Sequence, residues 1–175
     1  MGALSAAVIA VTACQAGDHA TEPGRTAAPS VAPMQTPSRS MSEDAVVAVY
    51  RDLYPAGQRA EQTPPEERRA ILEDVATQPL LDRMLRGIAA LRVTRRVTWG
   101  TPVIHAFDVE IKDDRATLHD CQDGTKSGQA DDKTGERLTH GKSGTHLIAT
   151  LQTGEDGVWR VSKVEQVKAP CSPVA

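Results

Sequence analysis

Two hydrophobic periods divide the chain, and the point where one gives way to the other limits the folds open to it. Apolar residues recur at helical spacing from residue 41 to 91, and beyond residue 92 they alternate. Ser40-Met41-Ser42-Glu43 reads as a capping box, followed by Val46, Val49, Tyr50 and Leu53, which predicts a helix over 41–57. Thr63-Pro64-Pro65-Glu66 repeats the device, with Pro in the first turn where its missing N–H costs nothing. Ile71, Leu72 and Val75 continue it as the buried stripe of a helix over 64–77. Pro79 then opens a third helix over 79–91, whose stripe is Leu81, Met84, Leu85, Ile88 and Leu91.

The alternating half begins near Arg95, and its break at Gly100-Thr101-Pro102 suggests a bulge or bend in one longer strand. Val103, His105, Phe107, Val109 and Ile111 then share one face of a strand, with Ile104, Ala106, Asp108 and Glu110 on the other. Asp113-Asp114 turns the chain into a strand over 115–121, and strands resume at 145–152 and 158–167 around Gly154-Glu155-Asp156-Gly157. The polar segment from Gln122 to Gly144 carries five glycines and reads as a long mobile loop, a candidate partner-binding element. Helices followed by a four-stranded antiparallel meander predict an α+β domain over 41–172 with its helices on one face of the sheet.

Composition narrows the function. The 175 residues carry a formal charge of -3, the wrong sign for a protein that grips nucleic-acid phosphates without regard to sequence. Two Trp, two Tyr and one Phe are too few for a base-stacking platform. No nucleic-acid partner is expected.

The amino terminus reads as an export signal. Gly2–Ala13 is an uncharged run far shorter than the roughly 20 apolar residues a membrane span needs. Its end, Val11-Thr12-Ala13-Cys14, resembles the lipobox of bacterial lipoproteins. That resemblance implies cleavage after residue 13 and lipidation of Cys14, with two or three acyl chains giving stable anchoring. No Lys or Arg precedes the run, so the coding start is expected to lie upstream. Residues 14–40, rich in Pro, Ala, Ser and Thr, bury too little to fold and would serve as a tether. The expected location is the outer face of the cytoplasmic membrane. With Cys14 spent, Cys121 and Cys171 form an even pair in an oxidising compartment, and a disulfide between them is expected.

Three helices before a long-stranded meander resemble the NTF2-like, or SnoaL-like, superfamily. More narrowly, Asp120-Cys121 in the sheet and a chain ending just after Cys171 resemble small actinobacterial lipoproteins. The resemblance implies a curved sheet whose cone holds a small apolar ligand, lined here by Tyr50, Tyr54, His105 and Phe107. It also implies dimerisation through the open sheet face.

Enzymes of that superfamily place an Asp or His in the cone, which makes His105 and Asp120 the candidates for catalysis. Neither converges with a nucleophile or an orienting group. His105 fits a hydrogen-bonded sheet residue and Asp120 a turn cap beside the disulfide, so no catalytic residue is assigned. His119, Asp120, Asp123, Asp131, Asp132, His140 and His146 crowd one region, yet none falls in a metal-binding motif. Gly135–Ser143 imitates a phosphate loop with one residue too many between its glycines and no helix after Ser143. No metal and no cofactor are expected. Two readings stay open: a lipid-anchored module binding a protein or a small hydrophobic ligand, and an extracytoplasmic enzyme of the ketosteroid-isomerase type.

Overall fold

A computed structural model describes residues 41–171. The signal segment 1–13, Cys14, the tether and Ser40 lie outside the described residues, as do residues 172–175.

Helix α1 spans Met41–Gln62 and buries Val46, Val47, Tyr50, Leu53, Ala56 and Ala60. Pro55 lies within it and removes one donor from the ladder. The helix nonetheless runs past the expected end at 57, because Ala56 and Ala60 extend the buried stripe. Helix α2 is only Arg68–Glu73, shorter than the predicted 64–77. After it the chain leaves helical geometry to bond with a strand edge: Thr77 N–H donates to the Val161 carbonyl at 2.9 Å, and Val161 N–H to that of Val75 at 2.8 Å. Helix α3 spans Leu80–Val93 and buries Leu80, Leu81 and Ile88. Arg95, at φ 53°, turns the chain away from it.

The strands fall into two sheets. Ala106–Lys112 (β2), Arg115–Gln122 (β3), Thr145–Thr153 (β5) and Trp159–Gln166 (β6) form the four-stranded antiparallel meander, in the order β2-β3-β5-β6. Arg96–Gly100 (β1) is not the first half of a long bent β2. It pairs instead with Ser127–Asp131 (β4) in a separate two-stranded sheet. The expected long loop over 122–144 therefore contains a strand. Its sequence, SGQAD, has no β-branched or aromatic residue, so β1 rather than intrinsic preference selects it.

The meander packs its inner face on the helices. Ala116, Leu118, Ala149, Leu151 and Val161 meet Tyr50, Leu53, Leu72 and Leu81 in one core cluster. One irregularity decides which face each β2 residue takes. Phe107 pairs with His119 but Glu110 pairs with Thr117, so β2 carries an extra residue there, and Asp108 sits at φ 47°. Ile104 and Ala106 before the bulge, and Val109 and Ile111 after it, all pack toward the core. The uniform alternation read from the sequence is therefore broken, and Phe107 stands on the outer face.

Cys121 and Cys171 are bonded, with their Cα atoms 5.7 Å apart and a sequence separation of 50. Val167 N–H also donates to the His146 carbonyl at 3.0 Å, laying the C-terminal segment beside β5.

Candidate functional site

A cavity of about 250 Å³ opens between α1, α3 and the ends of β1 and β6. Leu53, Tyr54, Gly57, Gln58 and Glu61 line it from α1 because spacings of i, i+4 and i+8, with their neighbours, share one side of a helix. Leu80 and Met84 of α3, Pro102 and Val164 complete a mostly apolar wall. Two α1 side chains bond the backbone of β1. Gln58 Nε2–H donates to the Gly100 carbonyl at 2.5 Å, and Glu61 Oε2 accepts from Thr98 N–H at 2.8 Å. The Thr98 hydroxyl donates to Glu61 Oε1. The helix thus satisfies strand groups that would otherwise lack partners.

Behind the cavity lies a buried polar cluster. Asp120 is fully buried, and its carboxylate accepts from His105 N–H at 2.8 Å, the Tyr50 hydroxyl at 3.0 Å and Gln122 Nε2–H at 3.3 Å. The Tyr50 and Tyr54 hydroxyl oxygens are 3.2 Å apart, and Gln122 Nε2–H also donates to the Tyr54 oxygen. With the carboxylate ionised, one proton assignment satisfies every contact. Tyr50 spends its proton on Asp120, so Tyr54 must donate to Tyr50 while accepting from Gln122. The ring Asp120–Tyr50–Tyr54–Gln122 is closed. Burial pushes the Asp120 carboxyl above the ordinary carboxylate range, against the three hydrogen bonds that lower it. Burial likewise pushes both tyrosine hydroxyls up.

The structure separates the residues the sequence grouped together. Tyr54 lines the cavity, whereas Tyr50 is fully buried behind it. His105 meets Asp120 through its backbone N–H, not through its ring. Phe107 does not line the cavity; its ring packs against His119 and His146, with centroids 5.4 and 5.7 Å away. His119 Nδ1 and His146 Nε2 are 2.9 Å apart, and His146 Nδ1 is 3.1 Å from the Ala169 carbonyl oxygen. Among the described residues no three His, Cys, Asp or Glu side chains converge as a metal ion would require. His140 stacks edge-on against Trp99, and Arg137 lies over the Trp99 ring at 4.2 Å.

Sequence reasoning passed over Gln58, Glu61 and Gln122. Glu61 had a readable signal, its i+4 and i+8 spacing from Gly57 and Leu53. The expectation that the helix stopped at 57 hid it.

No protein-family model and no curated protein matches the chain. Solved structures do. The intermembrane-space region of the chloroplast protein ARC6 superposes with a TM-score of 0.50 at 12% identity, covering 77% of this chain and 100% of that one. A conserved protein from Planctomyces limnophilus DSM 3776 gives 0.48 at 15%, over 74% and 100%. A Streptomyces avermitilis protein described as a dehydratase of the NTF2-like family gives 0.40 at 17%, over 76% and 97%. At such identities the likeness is one of fold.

Proposed function

We propose that the chain is a lipid-anchored, extracytoplasmic binding domain of the NTF2-like kind. In this reading Cys14 holds it at the outer face of the cytoplasmic membrane, and the cavity under α1 takes a small hydrophobic ligand without catalysing a reaction. The observation that carries the non-catalytic reading is the closed ring. Tyr54 is its one tyrosine on the cavity wall, and with Asp120 ionised the Tyr54 proton is spent on Tyr50. Asp120 does not line the cavity, so it has no direct reach to a ligand there. A ketosteroid-isomerase-like enzyme working through Asp120 or Tyr54 would need that carboxylate or that hydroxyl free to exchange a proton with substrate.

Filling the cavity tests the reading. A Cβ on Gly57 would sit 3.7 Å from the Met84 methyl carbon, an ordinary contact. Gly57→Ala is therefore expected to stabilise the domain by about 0.5–1 kcal/mol, since glycine weakens a helix interior. Gly57→Leu should project into the cavity and abolish binding of 2-phenylethanol, followed by NMR at the Met84 methyl, while the fold persists. Unchanged binding in Gly57→Leu, or no binding of any small apolar probe to the wild-type chain, would remove the cavity from consideration.

A further inference from the structure

Asp120 and Glu61 are the two buried acids among the described residues. Asp120 has its ring of partners; Glu61 has a different situation. It is 8% exposed and lies in the cavity wall, with its carboxylate fixed by two bonds from one residue, Thr98. An ionised carboxylate offers about four acceptor positions, so roughly half of its capacity is left over. Among the described residues it also makes no ion pair. The Arg92 guanidinium donates to the Glu61 main-chain carbonyl, not to the carboxylate. A buried acid without a counter-charge is rare and costly, and here it borders an apolar space open to a ligand.

We propose that Glu61 reads charge, and that the cavity takes a small hydrophobic molecule bearing an ammonium group. The inference rests on the binding reading above and specifies its ligand class. Leu53, Leu80, Met84 and Val164 cover the apolar body, while Glu61 accepts from the ammonium N–H groups in a charge-assisted bond. Tyr54 adds an aromatic ring to the wall, a favourable neighbour for a cation. The volume, about 250 Å³, equals the liquid share of about eight waters, which admits a single ring on a short arm. Thr98 orients the acid, because its N–H and hydroxyl fix both carboxylate oxygens.

The test is an NMR titration of the full chain with three probes of nearly one shape: 2-phenylethylammonium, 2-phenylethanol and phenylacetate. The ammonium is expected to bind at least about tenfold tighter than the alcohol, with phenylacetate the weakest. In Glu61→Gln that advantage should vanish while the alcohol keeps its affinity within about twofold. The probe order in the wild-type chain decides the matter even if Glu61→Gln does not fold. Gly57→Leu should abolish ammonium binding and so locate it. Alcohol binding with no ammonium preference overturns the role of Glu61 and leaves the cavity reading standing. If neither probe binds, both fall.

Discussion

Loss of the Cys121–Cys171 bridge is expected to lower the melting temperature by roughly 10–20 °C. A closed loop of this length restricts the unfolded chain by about 4 kcal/mol in the loop-entropy account. Cys121 is buried on β3, so the bridge fixes a chain end to the middle of the sheet rather than to its rim. Among the described residues two hydrogen bonds would remain to hold the segment, Val167 N–H to the His146 carbonyl and the His146 ring to the Ala169 carbonyl. Two hydrogen bonds are worth far less than the bridge. Calorimetry on the oxidised chain and on Cys121→Ala/Cys171→Ala gives the comparison. A drop below about 3 °C would mean that the bridge contributes little.

Asp120→Ala should cost about 3–5 kcal/mol, because one buried and two part-buried donors lose their acceptor at once and each stranded donor costs about 1–3 kcal/mol. These donors are His105 N–H, the Tyr50 hydroxyl and one Gln122 N–H. Because Tyr50 is one of them, Asp120→Ala/Tyr50→Phe should cost at least about 1 kcal/mol less than the two single changes added together. Additivity within about 0.3 kcal/mol in urea titrations would mean that the ring does not act as a unit. The same carboxyl also gives stability a pH dependence of definite sign. Burial raises its proton affinity in the native state, so the folded chain holds more protons than the unfolded one. Its contribution is complete below the unfolded value near 4 and is lost as pH rises through the native value. Asp120→Asn should therefore lose less stability than wild type as pH rises from about 4, opposite to the trend set by Asp156. There Arg160 holds an exposed carboxyl down at about 2.

The parts of the fold legible in the sequence were those with a repeating signal. The helical stripes placed all three helices and the core residues Val46, Leu53, Leu81 and Ile88. Alternation placed the four strands of the meander, and the cysteine count paired Cys121 with Cys171. What escaped had no period. Ser127–Asp131 becomes a strand because β1 lies beside it, a cause far away in sequence. The bulge at Asp108 inserts one residue into an otherwise regular alternation, and every face assigned on the wrong side of it inverts, taking Phe107 out of the cavity. The candidate site suffered most, since a lone Glu on a helix resembles a solvated residue until the strand that bonds it is known.

The edges of the meander also bear on how the protein behaves in company. One edge, β6, is occupied by the chain after α2 and by Arg83, whose guanidinium donates to the Val164 carbonyl at 3.3 Å. The other edge is β2, where the bulge and the left-handed Asp108 break the straight backbone repeat that an added strand would have to copy. Asp108, Glu110 and Lys112 put exposed charge along the same few residues. Such an edge is a poor template for a foreign strand. Molecules of this kind, held at high local density, could therefore collide repeatedly without seeding a continuous sheet from one copy to the next.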